Sequence, residues 1–394
     1  MNEIVKRKPY IKYIIAGVVC FLFLIIITLL IYILTRRKKG IPFYLTYGSH
    51  GNIGIWYSND GMKWTNCSKE SVTDIAYNGV DTFLAVGPEG NVFYSNDGKN
   101  WTLYASNIFG TGGTGGNQSI IAYNGVDTWV VGGYTTGGNN LAYSNDGKKW
   151  TPVTNIFGGG YVSSIVYNGV DTWVATGSGI GYSNDGKKWT PASSGIEGIF
   201  CPLAYNGVNT WIVLGTNGAA HSTDGQSWNP VPTIISGYDV EYNGVDTWVA
   251  VGMGSDYLSC IMYSKDNGKN WTQGTNNFSP SGSRGTFASM VTSVVYNGID
   301  TWVAVGGGDK IPTTLYSKDD GLTWNKGTDI FSGDKGGYGS SVAYNGVDMW
   351  VASGIVNNRS VVAYSKDGIN WTLGTGIDVQ ISNEDLRLKI FTLK

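Results

Sequence analysis

From residue 57 to 371 the chain is written as short apolar runs, each stopped by a cluster of Asn, Asp and Gly. Runs of this length, rich in aromatic and β-branched residues, predict strands rather than helices. In one stretch, Ser164-Ile165-Val166-Tyr167 predicts a first strand and Asn168-Gly169-Val170-Asp171 a turn. Trp173-Val174-Ala175-Thr176-Gly177 predicts a second strand and Ile180-Gly181-Tyr182-Ser183 a third. Asn184-Asp185-Gly186 then turns the chain into a fourth strand beginning at Trp189-Thr190. Asn-Gly and Asp-Gly pairs suit such turns because they accept positive φ at low cost.

The same phrase returns along the chain. Seven copies of Tyr-Asn-Gly open the units, at Tyr77, Tyr123, Tyr167, Tyr205, Tyr242, Tyr296 and Tyr344. Eight copies of a box, Ser-x-Asp-Gly in six and Ser-x-Asp-x-Gly in two, end at Trp64, Trp101, Trp150, Trp189, Trp228, Trp271, Trp324 and Trp371, spaced by 37 to 53 residues. A period near 40–50 residues with four strands per unit predicts an all-β propeller of four-stranded blades. Fourteen of the fifteen tryptophans fall in two fixed slots: eight end a box, and six open a second strand, where Phe83 serves in the seventh copy. A large aromatic at a fixed place in every unit predicts packing between blades. Eight blades are expected, with seven and an irregular cap as the alternative. The first unit lacks a Tyr-Asn-Gly turn, and the alternating tail around Leu386, Leu388 and Ile390 is expected to supply its missing strand. That would close the ring and remove its free edges.

The boxes resemble the Asp-box, or BNR, repeat of sialidases and sortilin-type receptors. Ser264 to Trp271 and Ser317 to Trp324 match its full length, and the other six are one residue shorter between Asp and Gly. The Tyr-Asn-Gly companion resembles that of repeat membrane proteins of large DNA viruses of protists. In boxes of this kind the Asp accepts hydrogen bonds from its own turn. The resemblance implies the same structural role for Asp60, Asp97, Asp146, Asp185, Asp224, Asp266, Asp319 and Asp367. Sialidase chemistry would need three converging arginines to capture a carboxylate. Residues 40–394 hold only Arg284, Arg359 and Arg387, and none precedes the first box, where the family places its first arginine.

Ahead of the repeats, Tyr13 to Leu34 is an uncharged apolar run of 22 residues, flanked by Lys12 and by Arg36-Arg37-Lys38-Lys39. As a helix it would extend about 33 Å, enough for a bilayer core of about 30 Å. No small-residue cleavage site follows, so an uncleaved signal-anchor is expected. The expected layout is a short basic tail at 1–12, a transmembrane helix at 13–34, a basic linker at 35–42 and the propeller at 43–394. Four basic residues flank each end of the helix, so charge does not set the orientation. The short tail and seven Asn-x-Ser/Thr sequons favour a translocated propeller that is extracellular, lumenal or on a virion surface.

Removing the membrane end changes the charge picture. The whole chain carries 27 Lys and Arg against 29 Asp and Glu, but residues 40–394 alone have a net charge of −9. Such a surface is a poor match for nucleic acid. Only two His residues, His50 and His221, are present, and Cys67, Cys201 and Cys260 lack metal-ligand spacing, so neither a metal nor another cofactor is expected. One disulfide among these cysteines is an open alternative. Asp239 and Glu241 are an acid pair two residues apart outside the repeat, and their expected role is solvated or structural.

Loop length separates the two faces. The two motifs connect first to second and third to fourth strands, so both fall on one face. The long, irregular connections fall on the other, where function more often resides. The candidate binding residues there are Tyr134, Asp256, Tyr257, Arg284, Asp309, Lys310, Tyr338 and Arg359. The leading expectation is a membrane-anchored, non-enzymatic propeller that binds a protein or glycan partner through this face. A glycoside-active enzyme and a purely structural membrane or virion component are the alternatives.

Overall fold

The computed structural model describes residues 41–393, apart from 49–52, 111–118, 135–137, 154–155, 159, 194, 196–197, 199, 232–234, 255–258, 277–289, 308–311, 378 and 381–385. The expected membrane helix at 13–34 lies outside the described residues. The chain divides into two compact units, Met1–Ile41 with Thr392–Lys394, and Pro42–Phe391. The strands described below build the second unit.

Among the described residues, strands assemble into six four-stranded sheets and one ten-stranded sheet. The unit parsed above consists of Val162–Tyr167, Trp173–Gly177, Ile180–Ser183 and Thr190–Ala192, hydrogen-bonded in that order. Its pairing puts Tyr167 opposite Trp173 and Trp173 opposite Ser183. The large sheet contains two such sets, Met290 to Lys326 and Gly337 to Leu373, joined through a Gly307–Tyr338 pairing. The C-terminal strand Arg387–Leu393 lies beside Ile41–Tyr47, which pairs in turn with Ile55–Ser58 and so with Thr65–Ser68. The tail thus stands where the other units have their first strand.

The core lies between units. Second- and third-strand residues of one sheet pack against the first strand and aromatic of the next. Val174 and Ile180 meet Leu203 and Trp211, Ile212 and Leu214 meet Val240 and Trp248, and Val303 and Val305 meet Val342 and Trp350. Where the chain ends meet, Val351 and Val362 pack with Tyr44, Leu386 and Leu388. Phe43 then contacts Phe83 at 5.9 Å between ring centres. Trp173, Trp211, Trp248, Trp302 and Trp350 are fully buried, as their fixed slot predicts. Each ring lies tilted against the tyrosine that opens its own unit, at 4.4–4.8 Å between ring centres.

Hydrogen bonds between successive first strands reinforce this packing. Thr73 Oγ1 donates to Ser119 O, Thr292 Oγ1 to Gly339 O, and Ser340 Oγ to Leu386 O. Lys389 Nζ donates to Ile75 O, returning from the tail to the start. On the outside, the segment leaving one unit reaches the box of the next: Thr275 N donates to Leu322 O, Thr328 N to Ile369 O and Thr375 N to Met62 O. The last of these again joins the final repeat to the first.

Candidate functional site

The motif face is built from turns that consume their own polar groups. In each box the serine hydroxyl accepts the glycine amide; the Asp accepts two amides beyond it in the six shorter boxes, and Asp266 and Asp319 accept those of Asn270 and Thr323. Ser183 Oγ receives Gly186 N at 2.9 Å, and Asp185 Oδ1 receives Lys187 N and Lys188 N at 2.8 Å each. The box tryptophan closes the turn, Trp189 Nε1 donating to Gly186 O. Burial alone would raise the box carboxylates, yet these amides hold them down. For Asp97 and Asp367 the added Asn100 and Asn370 contacts bring the pKa to about 2. The box Asp residues are therefore turn-forming groups in all eight copies.

The Tyr-Asn-Gly turns work through the asparagine. Asn243 Oδ1 accepts the amides of Val245, Asp246 and Thr247, each at 2.9 Å. Its Nδ2 meets Asp246, which also takes the Thr247 hydroxyl. The residue after the glycine is aliphatic in every copy and turned outward. Val80, Val126, Val170, Val208, Val245 and Ile299 are 68–78% exposed and Val347 is 45% exposed.

At the opposite ends of the strands, the structure brings Tyr338 and Arg359 onto one sheet. Tyr338 pairs with Ile355, and Arg359 pairs with the adjacent Val356 and with Gln380 of the tail. Asn357 and Asn358 turn the chain between these strands with φ of 52° and 64°. Tyr134 lies elsewhere on the same side, bridging to Tyr161 of the following unit, and is 38% exposed. Asp256, Tyr257, Arg284, Asp309 and Lys310 lie outside the described residues.

The inner ring holds acids that the repeat does not explain. Asp74 and Asp239 occupy one slot, three residues before Tyr77 and Tyr242. Asp74 accepts Ile75 N at 2.9 Å and Ile121 N of the next unit at 3.0 Å. Asp239 does the same with Val240 N at 2.9 Å and Val294 N at 3.0 Å, and also accepts the Ser293 hydroxyl. Each carboxylate staples two neighbouring first strands. Lys389 lies 2.6 Å from Asp74, Tyr47 donates its hydroxyl to the same carboxylate, and Arg387 donates to Thr73 O. Burial raises Asp239 against the pull of its amide and hydroxyl donors. Glu241 is pushed up to about 8 by burial and then by the charge of Asp239. The structural expectation for Asp239 thus stands, whereas Glu241 is held in a poorly hydrated place. The role of Asp74 was missed from the sequence, although its slot matches that of Asp239.

Among the described residues no cluster of three or more His, Cys, Asp or Glu is placed to hold a metal. Cys67 is a free thiol, and burial pushes it up to about 12.

The model of the DUF6242 beta propeller domain matches residues 100–358, and the chain belongs to this family. No curated protein sequence matches it. Among solved structures it is similar to the GH74 enzyme of Niastella koreensis, with TM-score 0.47 and 16% identity; the match covers 86% of this chain and 64% of that one. It is also similar to YCF48 bound to D1 peptide, with TM-score 0.48 and 16% identity, covering 77% of this chain and 92% of that one. YCF48 from Cyanidioschyzon merolae gives TM-score 0.47 and 13% identity over 80% of this chain and 94% of that one.

Proposed function

We propose that this member of the DUF6242 beta-propeller family is a membrane-anchored binding protein. In this reading its blades number eight, the boxes are Asp-box repeats, and residues 13–34 tether a translocated domain. The irregular-loop face receives a protein or glycan. One observation carries the reading: the motif-face carboxylates are spent on their own turns, while Tyr338 and Arg359 lie at the opposite end of one sheet, on two strands flanking Trp350–Val356 and on unlike connections. Tyr and Arg are the residue types that most often dominate binding energy at interfaces. Full-length chain in detergent, screened against glycan and protein arrays, should capture a discrete class of ligand. No specific capture on either array would overturn the reading. For the orientation, chain made with microsomes should be glycosylated and protease-protected; an unglycosylated, protease-sensitive product would contradict translocation.

A glycoside-active reading draws on Glu241, whose raised pKa suits a general acid. It ranks second because the neighbouring Asp239 is committed to two amides and a hydroxyl. Turnover of a fluorogenic glycoside, abolished by Glu241→Gln, would promote it.

A further inference from the structure

We propose that the motif face is the surface that lies on the bilayer, with the turn aliphatics as its contact points; this rests on the membrane-anchor reading above. The first observation is the regularity of the exposed side chain. In all seven turns the slot three residues before the inward aromatic is Val or Ile. Its side chain is largely exposed, so burial within the propeller does not account for its apolar character. The turn's hydrogen bonds at this slot use only the backbone: Val245 N donates to Asn243, and Val245 O accepts the Tyr242 hydroxyl. A polar side chain would serve the fold equally well. A single exposed valine needs no explanation, but an aliphatic repeated at one slot on one face does.

The second observation is independent of the repeat. The first unit has no Tyr-Asn-Gly turn, yet pairing of Tyr44 with Ser58 places Tyr44 in the aromatic slot, as Trp350 pairs with Ser365. Three residues before Tyr44 is Ile41, 71% exposed, in the slot of the turn valines. The chain therefore enters the ring on the motif face, at an eighth aliphatic position. Six residues, 35–40, separate Leu34 from Ile41. At about 3.5 Å per residue, seven steps reach at most about 25 Å, so the end of the apolar run is held close to this face. Four of the six linker residues are Arg or Lys, whereas six turns of the motif face carry an exposed Asp beside the aliphatic. The linker's four positive charges reduce but do not balance the negative charge of the turns, so an uncharged rather than an anionic lipid surface suits the face as its occupant.

Carbodiimide labelling of carboxylates in the full-length chain tests this without substitutions. The chain would be held in phosphatidylcholine nanodiscs and compared with the same chain in detergent. Asp81, Asp127, Asp171 and Asp246 border the exposed aliphatics, whereas Glu89 lies on a connection of the opposite face. Labelling of the four aspartates is expected to fall several-fold in nanodiscs while Glu89 is unchanged. Replacing Val126, Val170 and Val245 together by Ser should restore it. Equal labelling in both settings, or protection confined to Glu89, overturns the inference. Protection in detergent that grows with protein concentration would mean that a second copy is the occupant, which also overturns it. A parallel carbonate wash separates the two readings. Chain that washes off membranes defeats the anchor and this inference together, whereas retained chain with fully labelled aspartates defeats this inference alone.

Discussion

Lys389 Nζ lies 2.6 Å from Asp74 Oδ1, across 315 residues of sequence, and ties the C-terminal strand to the first complete repeat. Asp74 is buried, and it also satisfies two amides and the Tyr47 hydroxyl. Asp74→Ala should cost about 3–5 kcal/mol, because it strands a cation and several buried donors at once. Lys389→Met should cost less, about 1–2 kcal/mol, since the lysine is partly solvated and its charge is screened. Urea unfolding measures both, and equal costs would show that the ion pair dominates the staple.

The Tyr-Asn-Gly turns depend on one oxygen that accepts three amides. Asn243→Ala should destabilise by about 1–3 kcal/mol, whereas Asn243→Asp, which keeps the acceptor, should cost clearly less. Thermal melts of the two variants check this. Similar losses would mean that the side-chain amide's contact to Asp246 matters more than the shared oxygen.

Box glycines combine positive φ with close packing on the preceding unit. A Cβ on Gly268, at φ +74°, would come within 2.0 Å of the Ile212 side chain, whereas one on Gly79, at φ +81°, meets nothing within 4 Å. Gly79→Ala should therefore cost about 1 kcal/mol from backbone conformation alone. Gly268→Ala should cost about 1–3 kcal/mol more, as overpacking adds to that. If the two melt alike, the boxes do not press on their neighbours as described.

Glu241 makes stability depend on pH in the opposite sense to a paired carboxylate. Its folded pKa, about 8, lies above the ordinary value of 4.5, so the folded chain binds more protons between those limits. Its contribution is most favourable below about pH 4.5 and declines as pH rises toward 8, by at most about 1.4 kcal/mol per unit. Other units carry Ala or Val at this slot, as at Ala204 and Val295. Glu241→Val should abolish this decline and leave the protein more stable at pH 8, as followed by urea midpoints across pH. A variant that loses stability at pH 8 would show that the ionised carboxylate has a partner.

Much of the fold could be read from residue order because its turns are local. Asn-Gly and Asp-Gly at fixed offsets set the hairpins, and the strand limits of the unit at 162–192 agree with the reading except that its first strand starts at Val162 and its fourth at Thr190. Alternation in the tail likewise gave Leu386 and Leu388 as buried. What Arg387 and Lys389 do was not legible, since their partners Thr73, Asp74 and Ile75 are distant in sequence. The turn valines were in plain view, but an apolar residue in a hairpin turn carries no sign of whether it points inward. Irregular loops have no period to read, so the placing of Tyr338 and Arg359 on one sheet emerged only through strand pairing.

The central claim is that the irregular-loop face holds the partner site, and array binding by matched variants of the full-length chain tests it most directly. Tyr338→Ala and Arg359→Ala should each weaken capture of the array-identified ligand by about tenfold or more, the usual scale for an aromatic or arginine anchor. Asp185→Asn, on the motif face, should leave capture unchanged at temperatures where it remains folded. Capture that survives both loop-face substitutions but is lost with Asp185→Asn would contradict the account.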